Sequence, residues 1–310
     1  MRYSIVIPIL NEIDTLPVLH ERLAAAMRPF GDDYEIVFVD DGSTDGSAAW
    51  MSYTNGLDPR VKCVSFSRNF GHSAAISAGL DHCRGDIVIL MDGDLQDPPE
   101  LVPELLEKLN EGFDVVYAIK RKRREGLLKR LAFRAFYRLQ AWLSVEYMPE
   151  GAGTFSVMRR PVVDALLSMP ERNRYISGLR AWTGFRQTGI EFDRPARHSG
   201  KPRQTLGRLI RLALDGLFSF SYVPARLAVF FGFISIVISG VGVCIVIYKK
   251  FISQVAVTGW TSELLSTLLL GSVQLICIGI VGEYAARIYD EVRRRPQYLV
   301  ARRIGMKEEK

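Results

Sequence analysis

Cysteine is scarce in this chain of 310 residues, which has four cysteines and none in a C-x-x-C pair or another metal-binding spacing. Cys63, Cys83, Cys244 and Cys277 therefore argue against a disulfide framework and against a zinc site of familiar spacing. Two of the four lie in apolar stretches. We expect a reducing compartment.

Two glycine-rich nucleotide-binding motifs are also missing. No G-x-G-x-x-G follows the first predicted strand, and no G-x-x-x-x-G-K-[ST] occurs, which disfavours dinucleotide binding and P-loop chemistry. A signal peptide is not expected either, because the apolar run in MRYSIVIPIL is short and soon meets Asn11, Glu12 and Asp14. The run is better interpreted as a first β-strand.

Apolar and basic residues are plentiful. Hydrophobic residues make up 48% of the chain and charged residues 24%, so a core can form. The net charge is +6 and the pI is about 9.1. This excess of positive charge predicts an anionic partner, either nucleic acid, a phosphorylated substrate or an acidic membrane surface.

Two long uncharged runs lie near the C-terminus, at 227–248 and 264–282. As helices they would extend roughly 33 and 28 Å, which matches the hydrocarbon thickness of a bilayer. Two buried helices of a soluble domain are the alternative, disfavoured because two such runs follow each other closely. Arginines flank the pair, so the positive-inside rule predicts a multi-pass protein of the inner (plasma) membrane with both termini cytoplasmic.

The sequence pattern of the first 204 residues predicts a cytoplasmic α/β domain. Short apolar runs alternate with helical patterns near 12–28, 44–54, 70–83 and 99–110, and strands are predicted at 4–9, 34–40, 61–67, 86–92 and 114–119. Continuous Val/Ile runs indicate a mostly parallel sheet buried on both faces. Ligands of such sheets bind at the carboxyl ends of the strands.

Acidic residues follow two of these strands: Asp40 and Asp41 after one, Asp92 and Asp94 after another. Because carboxyl ends of parallel strands share one edge, we expect these carboxylates to face one ligand site. Asp97 is interpreted differently, as the cap of a helix that Pro98 and Pro99 begin.

Four motifs then carry a resemblance: VIPILNE (6–12), VDDGSTDGS (39–47), RNFGH (68–72) and DGDLQDPPE (92–100). In this order they resemble the inverting family 2 glycosyltransferases, which have a Rossmann-like GT-A fold. Three later stretches, PERNRYISGLRAWTGFRQ (170–187), RPARHSGKPR (194–203) and GEYAARIYDEVRRRPQYLV (282–300), resemble polyprenyl-phosphate glycosyltransferases. These include bactoprenol glucosyltransferases and, more distantly, dolichyl-phosphate mannose synthases.

The resemblance implies a donor site and a cation site. Asp94 and Gln96 would hold Mg²⁺ or Mn²⁺ on the diphosphate of the nucleotide sugar, and oxygen ligands suit both cations. Asp40 would accept a hydrogen bond from the nucleobase. The nucleotide-sugar site would comprise Pro8, Leu10, Glu12, Asp40, Asp41, Arg68 and Asp92. For Arg68, an ordinary loop arginine is the alternative.

The resemblance also implies how the acceptor is held. A polyprenyl phosphate would be bound by Lys120, Arg123 and Arg130, while Arg197 and Arg203 would close over the diphosphate. Relatives commonly carry GDF where this chain has G-T-F, so Thr154 stands at the catalytic aspartate position. Glu150 is a candidate substitute base, with a plain loop glutamate as the alternative.

Segment 120–138 holds nine basic residues and one acidic residue, with arginines every four residues beside aromatic ones. This pattern is typical of a helix in a membrane interface, and 205–221 predicts a second one. Nucleic acid and a solvated charged face are the alternatives. We expect anionic membrane lipid as a partner and no nucleic acid.

The expected organisation is a glycosyltransferase domain (1–204), a juxtamembrane amphipathic helix (205–226), two transmembrane helices (227–286) and a basic cytoplasmic tail (287–310), in a homo-oligomer. The expected reaction is inverting transfer of one sugar, with UDP-glucose as the best guess, to undecaprenyl phosphate at the cytoplasmic leaflet. One alternative is a processive polysaccharide synthase, disfavoured because Q-x-x-R-W is absent. Another is a degenerate subunit that binds sugar nucleotide or lipid, which Thr154 favours and the intact DGDLQ disfavours.

Overall fold

The computed structural model describes residues 1–121, 152–172, 174–193, 223–251 and 259–306. They belong to two units: one holds the described residues up to 193 together with 295–306, and the other holds two long helices. Predictions on Arg123, Arg130, Glu150, Arg197 and Arg203, and on the amphipathic segments within 122–138 and 205–221, lie outside the described residues.

The described part of the first unit contains one sheet of eight strands. Its spatial order is β7-β5-β6-β4-β1-β2-β3-β8, and β6 and β8 are antiparallel to their neighbours. The strands are β1 (Tyr3–Ile9), β2 (Tyr34–Asp40), β3 (Val61–Phe66), β4 (Ile87–Leu90), β5 (Val115–Lys120), β6 (Ala152–Arg159), β7 (Gln187–Phe192) and β8 (Val300–Ile304). The five predicted strands are confirmed as β1 to β5.

Helices alternate with the parallel strands, as predicted. The described part of the first unit contains α1 (Leu16–Met27), α2 (Ser47–Leu57), α3 (His72–His82), α4 (Val102–Asn110), α5 (Arg160–Ser168) and α6 (Ile176–Trp182). A single turn of 3-10 helix, Pro99–Leu101, precedes α4. The central strands are buried on both faces, since consecutive residues Ile5, Val6 and Ile7 are all 0% exposed. This explains their unbroken apolar sequences.

One edge of the sheet collects the residues of interest. β1 pairs in parallel with β2 and β4, and β5 runs the same way as β4 because both are antiparallel to β6. The last residues of these strands, including Asp40 and Lys120, therefore lie at one edge. β6 begins at that edge because it runs in the opposite direction.

Strand β8 is a feature that the sequence analysis did not predict. It pairs with β3 as the eighth strand, although its residues lie in the segment expected to be a basic tail. The ring of Tyr298 stacks on Phe66 with centroids 5.0 Å apart, and its hydroxyl donates a 2.6 Å hydrogen bond to Asp81 Oδ2. Residues 295–306 therefore form part of the first unit.

The second unit contains α7 (Val223–Phe251) and α8 (Trp260–Val292), which cover both uncharged runs. Among the described residues, one stretch is long and apolar enough to cross a membrane: Leu269–Val292, with a mean hydropathy of 1.6. Ala228–Gly242 is apolar but shorter. Length and composition thus support one spanning helix, and the predicted pair of spans stays a prediction.

Candidate active site

The loops after β1 and β2 are joined by hydrogen bonds at the sheet edge. Asn11, with a φ of 55°, donates its N–H to Ser43 Oγ at 2.9 Å and accepts from the Thr44 N–H at 2.8 Å. Asp45 Oδ2 accepts from the Ile13 N–H at 3.0 Å. Burial disfavours the charged carboxylate, but hydrogen bonds from Ser47 and the Ile13 amide outweigh it and lower the pKa of Asp45. Asp45 is a structural residue that sequence reasoning did not single out.

Asp40 and Asp41 are both buried, at 3% exposure, yet they have different partners. Asp40 Oδ1 accepts a 2.8 Å hydrogen bond from the Ser43 N–H within its own loop. Asp41 reaches the next loop, where its carboxylate accepts from the N–H groups of Phe70 and Gly71 at 2.6 and 3.0 Å. Burial raises the pKa of Asp41, although the two amides oppose the shift.

The loop between β3 and α3 packs closely against the loop that follows β2. Gly42 has a φ of 77°, and a Cβ there would lie 2.8 Å from the backbone of Arg68 and Asn69, so only glycine fits. Arg68 itself is exposed. Its guanidinium carbon lies 4.0 Å from the ring centroid of Phe70, and it donates to the Asn69 carbonyl at 2.8 Å.

The D-G-D segment follows β4 as a tight turn. Gly93 packs on β1, since a Cβ there would lie 2.5 Å from Ile9 Cδ1. Asp94 Oδ1 accepts from the Gln96 N–H at 3.1 Å. Between them, Leu95 has a φ of 60° and is 2% exposed. A buried leucine in this conformation is a strained arrangement of the kind that clusters at functional sites.

The prediction that Asp97 caps a helix is wrong. Pro98 is the residue before the helical turn, and Asp97 Oδ2 instead accepts from the Asp92 N–H at 3.1 Å. Asp97 is 0% exposed, and its Oδ1 has no partner among the described residues. Burial, reinforced by the charge of Asp92 and opposed by Lys120, raises the pKa of Asp97 to about 6.

His72 also lies in this site, although the sequence analysis did not name it as a site residue. It is the first residue of α3, and its Nε2 lies 2.9 Å from Asp92 Oδ1. This contact connects the loops that follow β3 and β4. The RNFGH motif contained His72, but its sequence position alone does not reveal which carboxylate it meets.

Lys120 and Thr154 lie where β5 and β6 meet. The pairing passes from Tyr117–Ser156 to Ile119–Ala152, so β6 advances four residues while β5 advances two. Thr154 lies in this irregular stretch and is half-buried. Irregularities of this kind redirect side chains beside active sites. A Cβ on Gly153 would lie 3.4 Å from Lys120 Nζ, so the amine lies against the start of β6.

The acidic turn has the ligand chemistry of a Mg²⁺ or Mn²⁺ site. Asp94 is 9% exposed, and Asp92, Asp94 and Asp97 place three carboxylates within one short turn. Oxygen ligands of this type suit both cations, which are often bound through one or two protein carboxylates plus substrate phosphates. Among the described residues, no group of three or more His, Cys, Asp or Glu has the geometry of a complete metal site. The carboxylates of this turn are of the ligand type that binds a cation together with a substrate phosphate.

The residues predicted to bind the nucleotide sugar fall in two groups. Pro8 is buried in β1, while Leu10 and Glu12 are half-buried in the loop that follows it. Glu12 Oε2 accepts from the Thr15 hydroxyl at 3.2 Å. All three belong to the same sheet edge as Asp40 and Asp92, whereas Arg68 lies exposed on the neighbouring loop.

Comparison with known proteins places this architecture in a family. The model of glycosyl transferase family 2 matches residues 4–167. An uncharacterized glycosyltransferase of Bacillus subtilis is 39% identical over 310 residues, covering 99% of this chain and 95% of that protein. The bactoprenol glucosyl transferase of Shigella phage SfII is 39% identical over 303 residues, covering 97% of both.

A solved structure is also similar. Glucosyl-3-phosphoglycerate synthase of Mycobacterium tuberculosis, with Mn²⁺, UDP-glucose and phosphoglyceric acid, has a TM-score of 0.47 at 22% identity, covering 70% of this chain and 79% of that one. The described domain has a GT-A type α/β fold with a mostly parallel sheet. By its family match and its full-length relatives, the chain is a glycosyltransferase that belongs to glycosyl transferase family 2.

Proposed function

We propose that this glycosyltransferase moves one glucose unit from UDP-glucose to undecaprenyl phosphate at the cytoplasmic leaflet, with inversion of the anomeric centre. The observation that carries the proposal is that Asp92 and Asp94, which follow β4, and Lys120, the last residue of β5, lie at one edge of the same sheet. The chain with this edge is similar over its length to bactoprenol glucosyl transferases. The acidic turn is suited to hold a metal ion on the donor diphosphate. The positive charge of Lys120 is suited to the phosphate of the acceptor.

The donor is assigned to the ends of β1, β2 and β4. Asp40 accepts a hydrogen bond from the nucleobase, with Pro8, Leu10 and Glu12 lining the same pocket. Asp92 contacts the nucleotide sugar, and Arg68 binds near its phosphates. Asp41 acts through the loop that it holds, because both of its oxygens already accept backbone N–H groups.

Asp94 and Gln96 would hold Mg²⁺ or Mn²⁺ in this site. When bound, the cation would neutralise charge on the departing nucleoside diphosphate. The chain's own residues position the sugar and exclude water from it. Burial, followed by the charge of Asp92, raises the pKa of Asp97, and a bound cation would oppose this shift.

The acceptor is assigned to the part of the sheet edge formed by the end of β5 and the start of β6. Lys120, Arg123 and Arg130 bind its phosphate head, and Arg197 and Arg203 close over the diphosphate. A phosphate monoester has a second pKa of about 6 and is largely ionised at neutral pH. It therefore needs orientation more than deprotonation, and Thr154 at the usual aspartate position is compatible with transfer.

The proposal also states that the protein is bound to a membrane. Helices α7 and α8 cross the bilayer, both termini lie in the cytoplasm, and the basic segments contact anionic lipid. The protein acts as a homo-oligomer. Leu269–Val292 is long and apolar enough to cross a membrane, and a lipid acceptor requires a site near the bilayer.

A degenerate, non-catalytic subunit is the second candidate, and Thr154 is the observation that favours it. One experiment separates the two. Purified protein in phospholipid nanodiscs receives undecaprenyl phosphate, Mn²⁺ and one labelled nucleotide sugar at a time. We expect label from UDP-glucose to become extractable into organic solvent. Product released by a β-glucosidase, but not by an α-glucosidase, would establish inversion. Absence of lipid-linked label with every sugar would refute the proposal.

A further inference from the structure

Arg180 is a buried cation without an anionic partner among the residues that the structure describes. It belongs to α6 and is 2% exposed. Its Nη1 donates to the Gly153 carbonyl at 3.2 Å, and its guanidinium carbon lies 5.0 Å from the ring centroid of Tyr117. Among the described residues, its Nε has no hydrogen-bond partner and no carboxylate forms an ion pair with it.

The energetics of such a group are unfavourable. Burial lowers the pKa of Arg180 to about 10, and the groups that oppose this shift are two tyrosines, Tyr117 and Tyr175. Removing a charge from water costs several kcal/mol unless a counter-charge compensates. Within the described part of the chain, Arg180 lacks this compensation, and a bound anion would supply the missing charge.

The backbone around Arg180 holds its position. The Arg180 carbonyl accepts from the Thr183 hydroxyl at 2.6 Å and from Gln187 Nε2 at 2.7 Å. These two contacts fix the end of α6 against the start of β7. A guanidinium on a fixed backbone is pre-organised for directional hydrogen bonds.

Arg180 also lies beside the candidate active site. Gly153, which accepts its hydrogen bond, lies at the start of β6, and Lys120 Nζ lies against the same glycine. Two cations therefore flank Gly153, immediately before Thr154. The acidic turn lies nearby, because Lys120 opposes the raised pKa of Asp97.

We propose that Arg180, together with Lys120, binds a phosphate group of a substrate. Arginine forms short, charge-assisted hydrogen bonds to phosphate oxygens, and the free Nε supplies one donor for them. The inference rests on the proposed function and adds a residue to it. The phosphate belongs either to the acceptor monoester or to the donor diphosphate, and separate binding measurements distinguish these sources.

Arg174 provides a matched control. It is also buried, at 8% exposure, and its Nε likewise lacks a partner among the described residues, but its two Nη groups donate to Ser77 Oγ and to the Leu166 carbonyl. Asp81 and Glu171 lie close enough to favour its charge. Arg174 therefore joins α3 to α5, and its environment already supplies the negative charge that Arg180 lacks.

The test uses the full chain in nanodiscs, as wild type, Arg180→Met, Arg180→Lys and Arg174→Met. Unfolding midpoints are measured without ligand, and Kd values are measured for two probes, UDP with Mn²⁺ and farnesyl phosphate. Arg180→Met should unfold at the same temperature as wild type or higher, because methionine needs no counter-charge. Its Kd for one probe should rise about tenfold or more, as expected for loss of a charged hydrogen bond. Arg180→Lys should recover part of the affinity.

Arg174→Met should unfold at a lower temperature and bind both probes with wild-type Kd values. A weaker Kd for farnesyl phosphate assigns the acceptor, and a weaker Kd for UDP assigns the donor; either supports the proposal. If Arg180→Met does not fold, Arg180→Lys decides by the same Kd comparison. Wild-type Kd values for both probes in the folded Arg180 variants overturn the proposal, as does a wild type that binds neither probe. Binding needs no turnover, so a failure of glucose transfer leaves this result interpretable.

Discussion

The carboxylate of Asp41 accepts a 2.6 Å hydrogen bond from the backbone N–H of Phe70, 29 residues further along the chain. The Gly71 N–H donates to the same side chain at 3.0 Å. Asp41 therefore holds the loop that leads into α3, and this loop carries Arg68. We therefore expect the second aspartate of VDDGSTDGS to act by positioning this loop, whereas Asp40 accepts a hydrogen bond within its own loop.

Replacing Asp41 with asparagine should loosen this loop. An amide keeps one acceptor oxygen but puts an N–H donor opposite a backbone N–H. We expect a loss of about 1–3 kcal/mol in unfolding free energy, the cost of an unsatisfied buried donor. The KM for the donor sugar should rise while kcat changes less. Asp86→Asn, an exposed residue before β4, is the control, and equal effects in both variants would contradict the role of Asp41.

Tyr298 should stabilise the same loop from the C-terminal segment. Its ring stacks on Phe66, which contacts Phe70 edge-on with centroids 5.7 Å apart. Tyr298→Phe keeps the stack and removes the hydrogen bond to Asp81, so we expect a loss of about 1–2 kcal/mol in unfolding free energy. Tyr298→Ala removes both and should cost about 3–5 kcal/mol. Urea unfolding measures both values.

The two variants also test whether the C-terminal segment supports the donor site. The donor KM should rise in Tyr298→Ala and stay near wild type in Tyr298→Phe. An unchanged KM in Tyr298→Ala, in protein that is still folded, would show that the ring stack does not position the loop.

Asp94→Ala should abolish transfer without unfolding the protein. The substitution removes the proposed cation ligand, and EDTA should inactivate the wild type in the same way. The ligand-free variant should be no less stable than wild type, because one charge leaves a turn that also contains Asp92 and Asp97. Activity is followed by lipid-linked label, and folding by circular dichroism. Full activity in EDTA or in Asp94→Ala would rule out the cation assignment.

Much of this edge was predictable from the sequence because it depends on local patterns. Unbroken Val/Ile runs predicted β1 to β5, and their alternation with helices predicted that Asp40 and Asp92 lie at one edge of a parallel sheet. Strand β8 was missed because VARRI has no apolar run and pairs with β3 more than 200 residues earlier in the chain. The sequence also did not reveal that Arg180 is buried without a counter-charge among the described residues, because burial and charge pairing arise only from tertiary packing.

Glu35 gives a pH-dependent prediction away from the site. It is 0% exposed and accepts from Ser4 Oγ at 2.5 Å and from Lys62 Nζ. Burial alone would raise the pKa of Glu35, but these hydrogen bonds outweigh it and lower the pKa below its ordinary value. A carboxylate with a lowered folded-state pKa contributes stability above its unfolded pKa of about 4.3, and this is lost as pH falls further.

Glu35→Gln should therefore lower the unfolding free energy at pH 7 by about 2–4 kcal/mol, since it leaves the Lys62 charge without its partner. The difference from wild type should shrink as pH falls below about 4. Adding Lys62→Met removes the unpaired charge and should restore part of the stability. A deficit that stays constant from pH 7 to pH 3 would show that the ion pair is not its cause.

Thr154 tests whether transfer needs a protein base. If the acceptor phosphate attacks in its ionised form, Thr154→Ala should keep most of the activity, and kcat should rise with pH around the second phosphate pKa of about 6. If Glu150 is the base, Glu150→Gln should lower kcat on the order of 100-fold. A catalytically degenerate protein would be inactive as wild type and in both of these variants, and Thr154→Asp would be the variant expected to restore turnover. Thr154 lies in the irregular stretch of β6, next to Gly153, which Lys120 approaches, so a loss of stability is measured separately by thermal unfolding. A large loss of kcat in stable Thr154→Ala, with Glu150→Gln unaffected, would assign Thr154 a direct role that base-free transfer does not require.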